Sequence, residues 1–289
     1  MCDFKEEYIN SEVGQIHFYT LGTGPPLLLL HGYPQFSLMW KETATLLAKA
    51  YTTIVPDLRG YGDSATPKGF TDHSNYSKRA MALDMIQVMN HLGFERFSVI
   101  GHDRGGRVGH RLARDHRERI NSLSVIDICP TLDMYKETSK EFATGYFHWF
   151  FLIQDCPIPE TFISENPKLW LKTCLGRWSA GGFDFKEKFE LYLEKFSNYK
   201  NIHATCEDYR ASASIDLKHD KEDVDDKLSI PIQVLWGKKG LIDKCFKPIE
   251  LWKKYTTERV WGEALPSGHF IPEEVPEKFV EKVSEFLTS

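Results

Sequence analysis

At 289 residues the chain is long enough for one large α/β domain, or for a core that carries a smaller insertion. A net charge of -5 with 27% charged residues gives no electrostatic case for nucleic-acid binding. The six cysteines (Cys2, Cys129, Cys156, Cys174, Cys206, Cys245) are scattered without a C-x-x-C pair, which argues against a zinc site or a disulfide framework. The start, Met1 to Glu7, is charged and lacks an apolar signal region, and no apolar run approaches the ~20 residues of a membrane span. The expectation is a reduced, cytoplasmic protein without metal or cofactor.

Residues 5 to 21 alternate as two antiparallel strands with Gly14 at their turn, and Gly22 to Pro26 is a loop. Leu27 to Leu30 reads as a buried strand running into His31-Gly-Tyr-Pro34. A glycine followed by a residue before proline breaks the strand sharply. The loop is either a plain strand-ending turn or, through N–H groups near Tyr33 together with that of Arg104, part of an oxyanion hole. Thr52 to Pro56 is the next strand, followed by the glycine-rich Asp57 to Ser64, which lacks the G-x-x-x-x-G-K-[ST] phosphate loop. Lys78 to Leu92 has helical spacing, with Met81, Met85, Val88, Met89 and Leu92 on a core face.

Phe97 to Ile100 is a short apolar strand, and Gly101-His-Asp-Arg-Gly105 follows with the small-x-nucleophile-x-small layout of a nucleophile elbow. The central side chain is the carboxylate of Asp103 rather than a hydroxyl. A carboxylate nucleophile attacks an sp³ carbon and forms an alkyl ester that water must open. Arg104 and Arg107 follow on one face of the first helical turn, where the helix dipole disfavours cations. They either pair with local acids such as Asp103 or Asp115, or hold an anionic substrate beside Asp103. Leu123 to Ile126 is a further buried strand, ending at Asp127.

From residue 131 to about 215 the β-branched runs give way to helical spacing rich in aromatics, which reads as a helical cap inserted into the core. Tyr135, Phe142, Tyr146, Phe147, His148, Trp149, Phe150 and Phe151 crowd one segment of it. Lys218 to Lys227 is a charge run expected to be a solvated connection back to the core. Strands are expected at Ile232 to Trp236 and Val260 to Leu265, and a closing amphipathic helix at Glu274 to Leu287. Strands alternating with helices predict a mostly parallel, doubly wound sheet. The predicted division is a core of residues 1–130 and 216–289 with a cap of 131–215.

Nucleophile, cap, then a histidine after the last strand is the chain order of α/β-hydrolases. His269, in Ser267-Gly-His-Phe270, would deprotonate the water that opens an Asp103 ester. Its orienting acid is Asp127 or Asp243. Glycine stands at 240, where a W-G-x-x-D pattern places the acid, and Asp243 lies three residues late, so Asp127 is favoured.

With these residues in place the chain resembles the fluoroacetate (haloacetate) dehalogenases of the α/β-hydrolase superfamily over nearly its whole length. The resemblance is carried by His31-Gly-Tyr-Pro34, Arg59-Gly-Tyr-Gly62, Lys78-Arg-Ala-Met81, Gly101 to Arg107, Asp127-Ile-Cys-Pro-Thr131, His148-Trp149, Cys206-Glu-Asp-Tyr-Arg210 and Ser267-Gly-His-Phe270. It implies Asp103 as nucleophile, His269 as base and Asp127 as its acid. It implies Arg104 and Arg107 as the carboxylate clamp, and His148, Trp149 and Tyr209 as halide donors. Without the resemblance these last three read as cap packing. A homodimer is implied as well. The alternatives are an epoxide hydrolase, which uses the same Asp-His-acid set, and a non-catalytic ligand-binding α/β-hydrolase. A neutral epoxide has no use for two arginines.

Overall fold

The computed structural model describes residues 4–289, so Met1 to Asp3, including Cys2, lie outside it. The strands are β1 (Lys5–Ser11), β2 (Gly14–Leu21), β3 (Pro26–Leu30), β4 (Thr52–Pro56), β5 (Phe97–His102), β6 (Ile120–Ile126), β7 (Ile232–Gly237) and β8 (Val260–Leu265). They form one eight-stranded sheet in the order β1-β2-β4-β3-β5-β6-β7-β8. β1 and β2 pair antiparallel, as do β2 and β4, and every later pairing is parallel. The short aliphatic runs explain this. Leu27 to Leu30, Ile100, Leu123, Val125, Ile126, Val234 and Leu235 are buried, as strands covered on both faces require. Each such side chain contributes about 1.5–3 kcal/mol on burial.

The expected helix appears at Lys78–His91 and packs on a helix at Arg104–Asp115, the elbow helix hereafter. Met81, Met85, Val88 and Met89 are buried, so these methionines are core. Between β6 and β7 the chain makes eight helices from Thr131 to Glu222 and no strand. The longest, Tyr199–Ala213, is capped by Asn198, whose side chain accepts from the Lys200 N–H.

Two elements differ from expectation. The closing helix is Pro276–Leu287, preceded by a separate short turn at Ile271–Glu274. Pro276 forces the residue before it out of helical geometry, and Val275 has φ -141° and ψ 57°. The charge run of 218–227 is not merely solvated. A helix at Ile215–Glu222 runs into it, and Asp223 pairs with Arg111 at 2.5 Å. The Asp223 and Asp226 carbonyls accept from Arg114 at 2.8 and 3.0 Å. These acids face buried arginines of the elbow helix, which a tally of charge cannot anticipate. Among the described residues no helix is long and apolar enough to cross a membrane.

Candidate active site

β5 ends at His102, and Asp103 turns the chain into the elbow helix with φ 44° and ψ -111°. Side chains rarely adopt this backbone, and it persists only where its surroundings over-determine it. Here the flanking glycines do so. A Cβ at Gly101 would meet the Gly105 carbonyl oxygen at 2.5 Å, and one at Gly105 would meet the Leu30 carbonyl oxygen at 2.3 Å. The Asp103 N–H donates to the Ile126 carbonyl at 3.1 Å, which ties the tip of the elbow to the neighbouring strand. The Tyr33 N–H, from the loop after β3, donates to Asp103 Oδ2 at 3.0 Å. Burial would raise the Asp103 pKa. The charges of His269, Arg107 and Arg104 outweigh burial and hold it below the usual carboxylate range.

Asp127 stands at the end of β6, also with positive φ, 52°. Its N–H donates to the Leu235 carbonyl at 2.7 Å, and its Oδ1 accepts from the Gly237 N–H at 2.8 Å. Its Oδ2 lies 2.6 Å from His269 Nδ1. The Tyr146 hydroxyl reaches the same pair, 3.1 Å from His269 Nδ1 and 3.5 Å from Asp127 Oδ2. Asp243 is engaged elsewhere, accepting from the Trp236 indole N–H at 2.8 Å and pairing with Lys238 at 3.0 Å. Burial would lower the His269 pKa, but the hydrogen bond and charge of Asp127, joined by the charge of Asp103, raise it above 6.5. The His269 backbone is pinned on both sides. Its N–H donates to the Trp178 carbonyl at 2.8 Å, and its carbonyl lies 2.8 Å from His102 Nε2. Burial pushes His102 down to about 3, so it stays neutral and donates.

The elbow helix buries Arg104, Arg107, Arg111 and Arg114. Arg104 pairs with neither Asp103 nor Asp115. Its Nε and Nη2 grip the two carboxylate oxygens of Asp208 at 3.0 and 2.7 Å, a bidentate pair reaching into helix Tyr199–Ala213. Asp208 is fully buried and also takes the Tyr61 hydroxyl at 2.7 Å and the Lys78 ammonium. Asp115 pairs instead with Arg79 and Arg111, each at 2.8 Å. Among the described residues Arg107 has no carboxylate partner. It donates to the Thr131 hydroxyl at 2.9 Å, with the Met134 sulfur at 3.3 Å and the Cys129 carbonyl at 3.4 Å. Burial and the neighbouring Arg104 charge press its pKa down, with Asp103 opposing.

The helical segment supplies an aromatic wall around this centre. The rings of Tyr33 and His148 stack at 5.9 Å with 6° between planes, and Tyr209 meets both edge-on at 5.3 and 5.4 Å. The Arg104 guanidinium lies 4.1 Å from the Tyr209 ring centre, and the Arg107 guanidinium lies 4.7 Å from that of Trp149. Burial holds His148 well below 6.5, a neutral imidazole at neutral pH. Burial and the Asp103 charge hold the Tyr209 phenol well above 10, so it keeps its proton. Arg104 Nη1, Arg107 Nε, His148 Nδ1 and Tyr209 Oη are buried atoms with no hydrogen-bonding partner among the described residues. Leaving such a group unpaired costs about 1–3 kcal/mol. Four of them from four buried side chains form a polar cradle suited to an anion.

Sequence reasoning missed Asp208 and Tyr146. Asp208 stood inside the Cys206 to Arg210 stretch, and the helical face Ile202, Thr205, Asp208, Tyr209, Ser212 is buried throughout. An acid on such a face signals a buried cation opposite. Tyr146 was hidden among aromatics of equal promise. No spacing separates a phenol that touches the base from one that only packs.

A parallel sheet bearing an acid on the elbow and a His-Asp pair on the ends of β8 and β6 defines an α/β hydrolase. Residues 25–276 match the family model described as alpha/beta hydrolase fold. The fluoroacetate dehalogenase of Burkholderia sp is 41% identical over 100% of this chain and 93% of its own length. The soluble epoxide hydrolase of Corynebacterium sp. (strain C12) is 32% identical over 94% of this chain and 93% of its own. A crystal structure from Nostoc sp PCC 7120, described as an alpha/beta hydrolase, superposes with TM-score 0.97 at 48% identity and covers 99% of both chains. The chain belongs to the haloacetate dehalogenase family of the α/β-hydrolase superfamily.

Asp208→Asn removes the charge that compensates Arg104 and Lys78 while keeping the shape. Breaking a buried pair in this way costs about 3–5 kcal/mol, so urea unfolding is expected to shift by that amount. A loss below about 1 kcal/mol would mean that the pair does not hold the helical segment to the core.

Proposed function

We propose that this protein hydrolyses small 2-haloacids, converting a haloacetate and water to glycolate, halide and a proton through an Asp103 ester. The observation that carries this reading is the set of unpartnered buried polar atoms on Arg104, Arg107, His148 and Tyr209, all four of which feel the charge of Asp103. Arg104 Nη1 and Arg107 Nε suit the substrate carboxylate, and His148 and Tyr209 suit the halide. The Burkholderia relative supports the same chemistry.

In the first step one Asp103 oxygen attacks the halogen-bearing carbon as the carbon–halogen bond breaks, and the electron pair leaves with the halide. His148, Trp149 and Tyr209 donate to the growing negative charge. They replace the hydration that a small halide loses in an aromatic pocket. In the second step His269 takes a proton from water, whose oxygen attacks the Asp103 carboxyl carbon. In this reading the Tyr33 N–H, which donates to Asp103 Oδ2 at 3.0 Å, holds the oxyanion. The ester's acyl C–O bond then breaks and the His269 cation gives its proton to the departing alkoxide, so the product hydroxyl keeps an oxygen that began on Asp103, and the Asp103 carboxyl releases the remaining proton. Asp127 fixes the His269 ring and stabilises its cation. The helical segment acts in this reading as a cap that keeps water out.

The Corynebacterium relative favours a second reading, an epoxide hydrolase with Tyr209 or His148 donating to the epoxide oxygen. The arginines separate the two, because a neutral epoxide gives Arg107 no countercharge.

The deciding assay is halide release from fluoroacetate and chloroacetate, with an epoxide in parallel. Halide is expected from the acids and is lost in Asp103→Asn. Diol from the epoxide with no halide from either acid would overturn the reading. In a single turnover in water labelled with heavy oxygen, unlabelled glycolate is expected, and solvent label in that first product would sink the ester step. Arg107→Lys removes a planar donor fork and is expected to lower kcat/KM for chloroacetate about 10–100-fold.

The second step needs neutral His269, so the rate of ester opening rises with pH through the His269 pKa, which the Asp127 hydrogen bond and charge push up. Asp127→Asn removes the main influence raising that pKa. The acid limb of the pH–kcat profile should therefore move to lower pH, on a lower plateau. A limb that stays in place would show that His269 does not set it.

We also propose that the protein pairs with a second copy through the helical segment, where Ile158, Phe162, Leu169 and Tyr199 are exposed. Sedimentation is expected to show a dimer that Phe162→Glu converts to monomer. A monomeric wild type would overturn this.

A further inference from the structure

Next to the triad lies a cavity of about 190 Å³ that the proposed chemistry does not use. Arg177, Lys239 and Lys244 stand exposed around it, and no carboxylate lines it. None of the three makes a salt bridge among the described residues, whereas neighbouring Lys238 is paired with Asp243. In a chain of net charge -5, three cations lining one cavity without a carboxylate create a local positive field against the overall sign.

The inner end of the cavity is formed by Tyr146, Trp178 and Gly240. The Tyr146 hydroxyl touches His269 and Asp127, as described above. The Trp178 ring centre lies 4.2 Å from that of His148 and 6.0 Å from that of His269. The buried indole N–H of Trp178 has no partner among the described residues. Aromatic rings therefore separate the basic cavity from the halide donors. Gly240 matters here because it has no side chain. A Cβ there would crowd the Gly237 carbonyl oxygen at 3.2 Å, so glycine leaves the inner end of the cavity free of a side chain.

We propose that this cavity is a docking site for small monovalent anions, serving halide on its way out and the two-carbon acid on its way in. Assigning it to halide and haloacid traffic rests on the function proposed above, but the anion site itself does not. A halide leaving an aromatic-walled pocket must regain its hydration. Cations at the mouth offset that cost while water returns. The same field concentrates an anionic substrate at the mouth, an effect that salt screens within about 10 Å.

Chloride binding, read from line broadening in chloride NMR, tests the site without turnover. The proteins compared are wild type, Lys239→Gln/Lys244→Gln and Trp149→Phe, the last removing a halide donor of the cradle. The double variant is expected to lose a chloride-binding component that Trp149→Phe retains. Its KM for chloroacetate at low salt is expected to rise about threefold to tenfold, with a flatter dependence on ionic strength. Chloride broadening and low-salt KM that match wild type would overturn the proposal. If no haloacid is turned over, the function proposed above fails, and the chloride measurement still decides the anion site.

Discussion

The structure depends on the buried ion pair between Arg104 and Asp208. A guanidinium at the first position of a helix stands at the positive end of the helix dipole, beside a carboxylate that must stay free to react. Left alone it would fold onto Asp103. Asp208 prevents this by taking two of its nitrogens in bidentate geometry, and Ser212 accepts from the same arginine at 2.5 Å. Only Nη1 is left unpaired. The carboxylate that restrains Arg104 also binds Lys78 and Tyr61 of the sheet side, so one acid fastens helix Tyr199–Ala213 to the core. Tyr209, the next residue, is placed against Arg104 by the same contact.

The two acids of the centre are built alike. Asp103 and Asp127 both sit in positive-φ backbone just past a strand. Each donates its N–H to a carbonyl of the next strand along, Asp103 to β6 and Asp127 to β7. Parallel strands in register make this repetition natural, since equivalent positions on neighbours lie side by side. Such conformations cost about 1–3 kcal/mol each and need this kind of over-determination. The result is a rigid platform of carboxylates at the strand ends, while the aromatic donors come from the helical segment above them.

The fold was largely legible in the sequence because its signals are local. Aliphatic runs of four to six residues named the strands of the parallel sheet, and the spacing of Gly101 and Gly105 around Asp103 named the elbow. Where the expectation erred, the deciding contact was distant. The run 218–227 looked solvated because the arginines it meets, Arg111 at the Asp223 carboxylate and Arg114 at backbone carbonyls, are about a hundred residues away in the chain. Asp115 was a reasonable local partner for the clamp arginines, but Arg79 and Arg111 claim it, and Arg104 reaches across 104 positions to Asp208. The geometry of the candidate site is thus divided. Residues on strand ends could be placed from the chain, and the pairing of buried charges needed three dimensions.

The attachment of Asp127 to the C-terminal end of β7 has an evolutionary consequence. Its carboxylate is held by the Gly237 N–H, and a side chain at Gly240 would start 3.7 Å from its oxygens. The two strand-end stations for a histidine's acid, after β6 and after β7, therefore share one space. An acid at either station would reach the same side of the histidine, without the histidine moving. Relocating the acid would then require no redesign of the sheet, and homologous enzymes could differ in that residue's address while keeping the same ring in the same place.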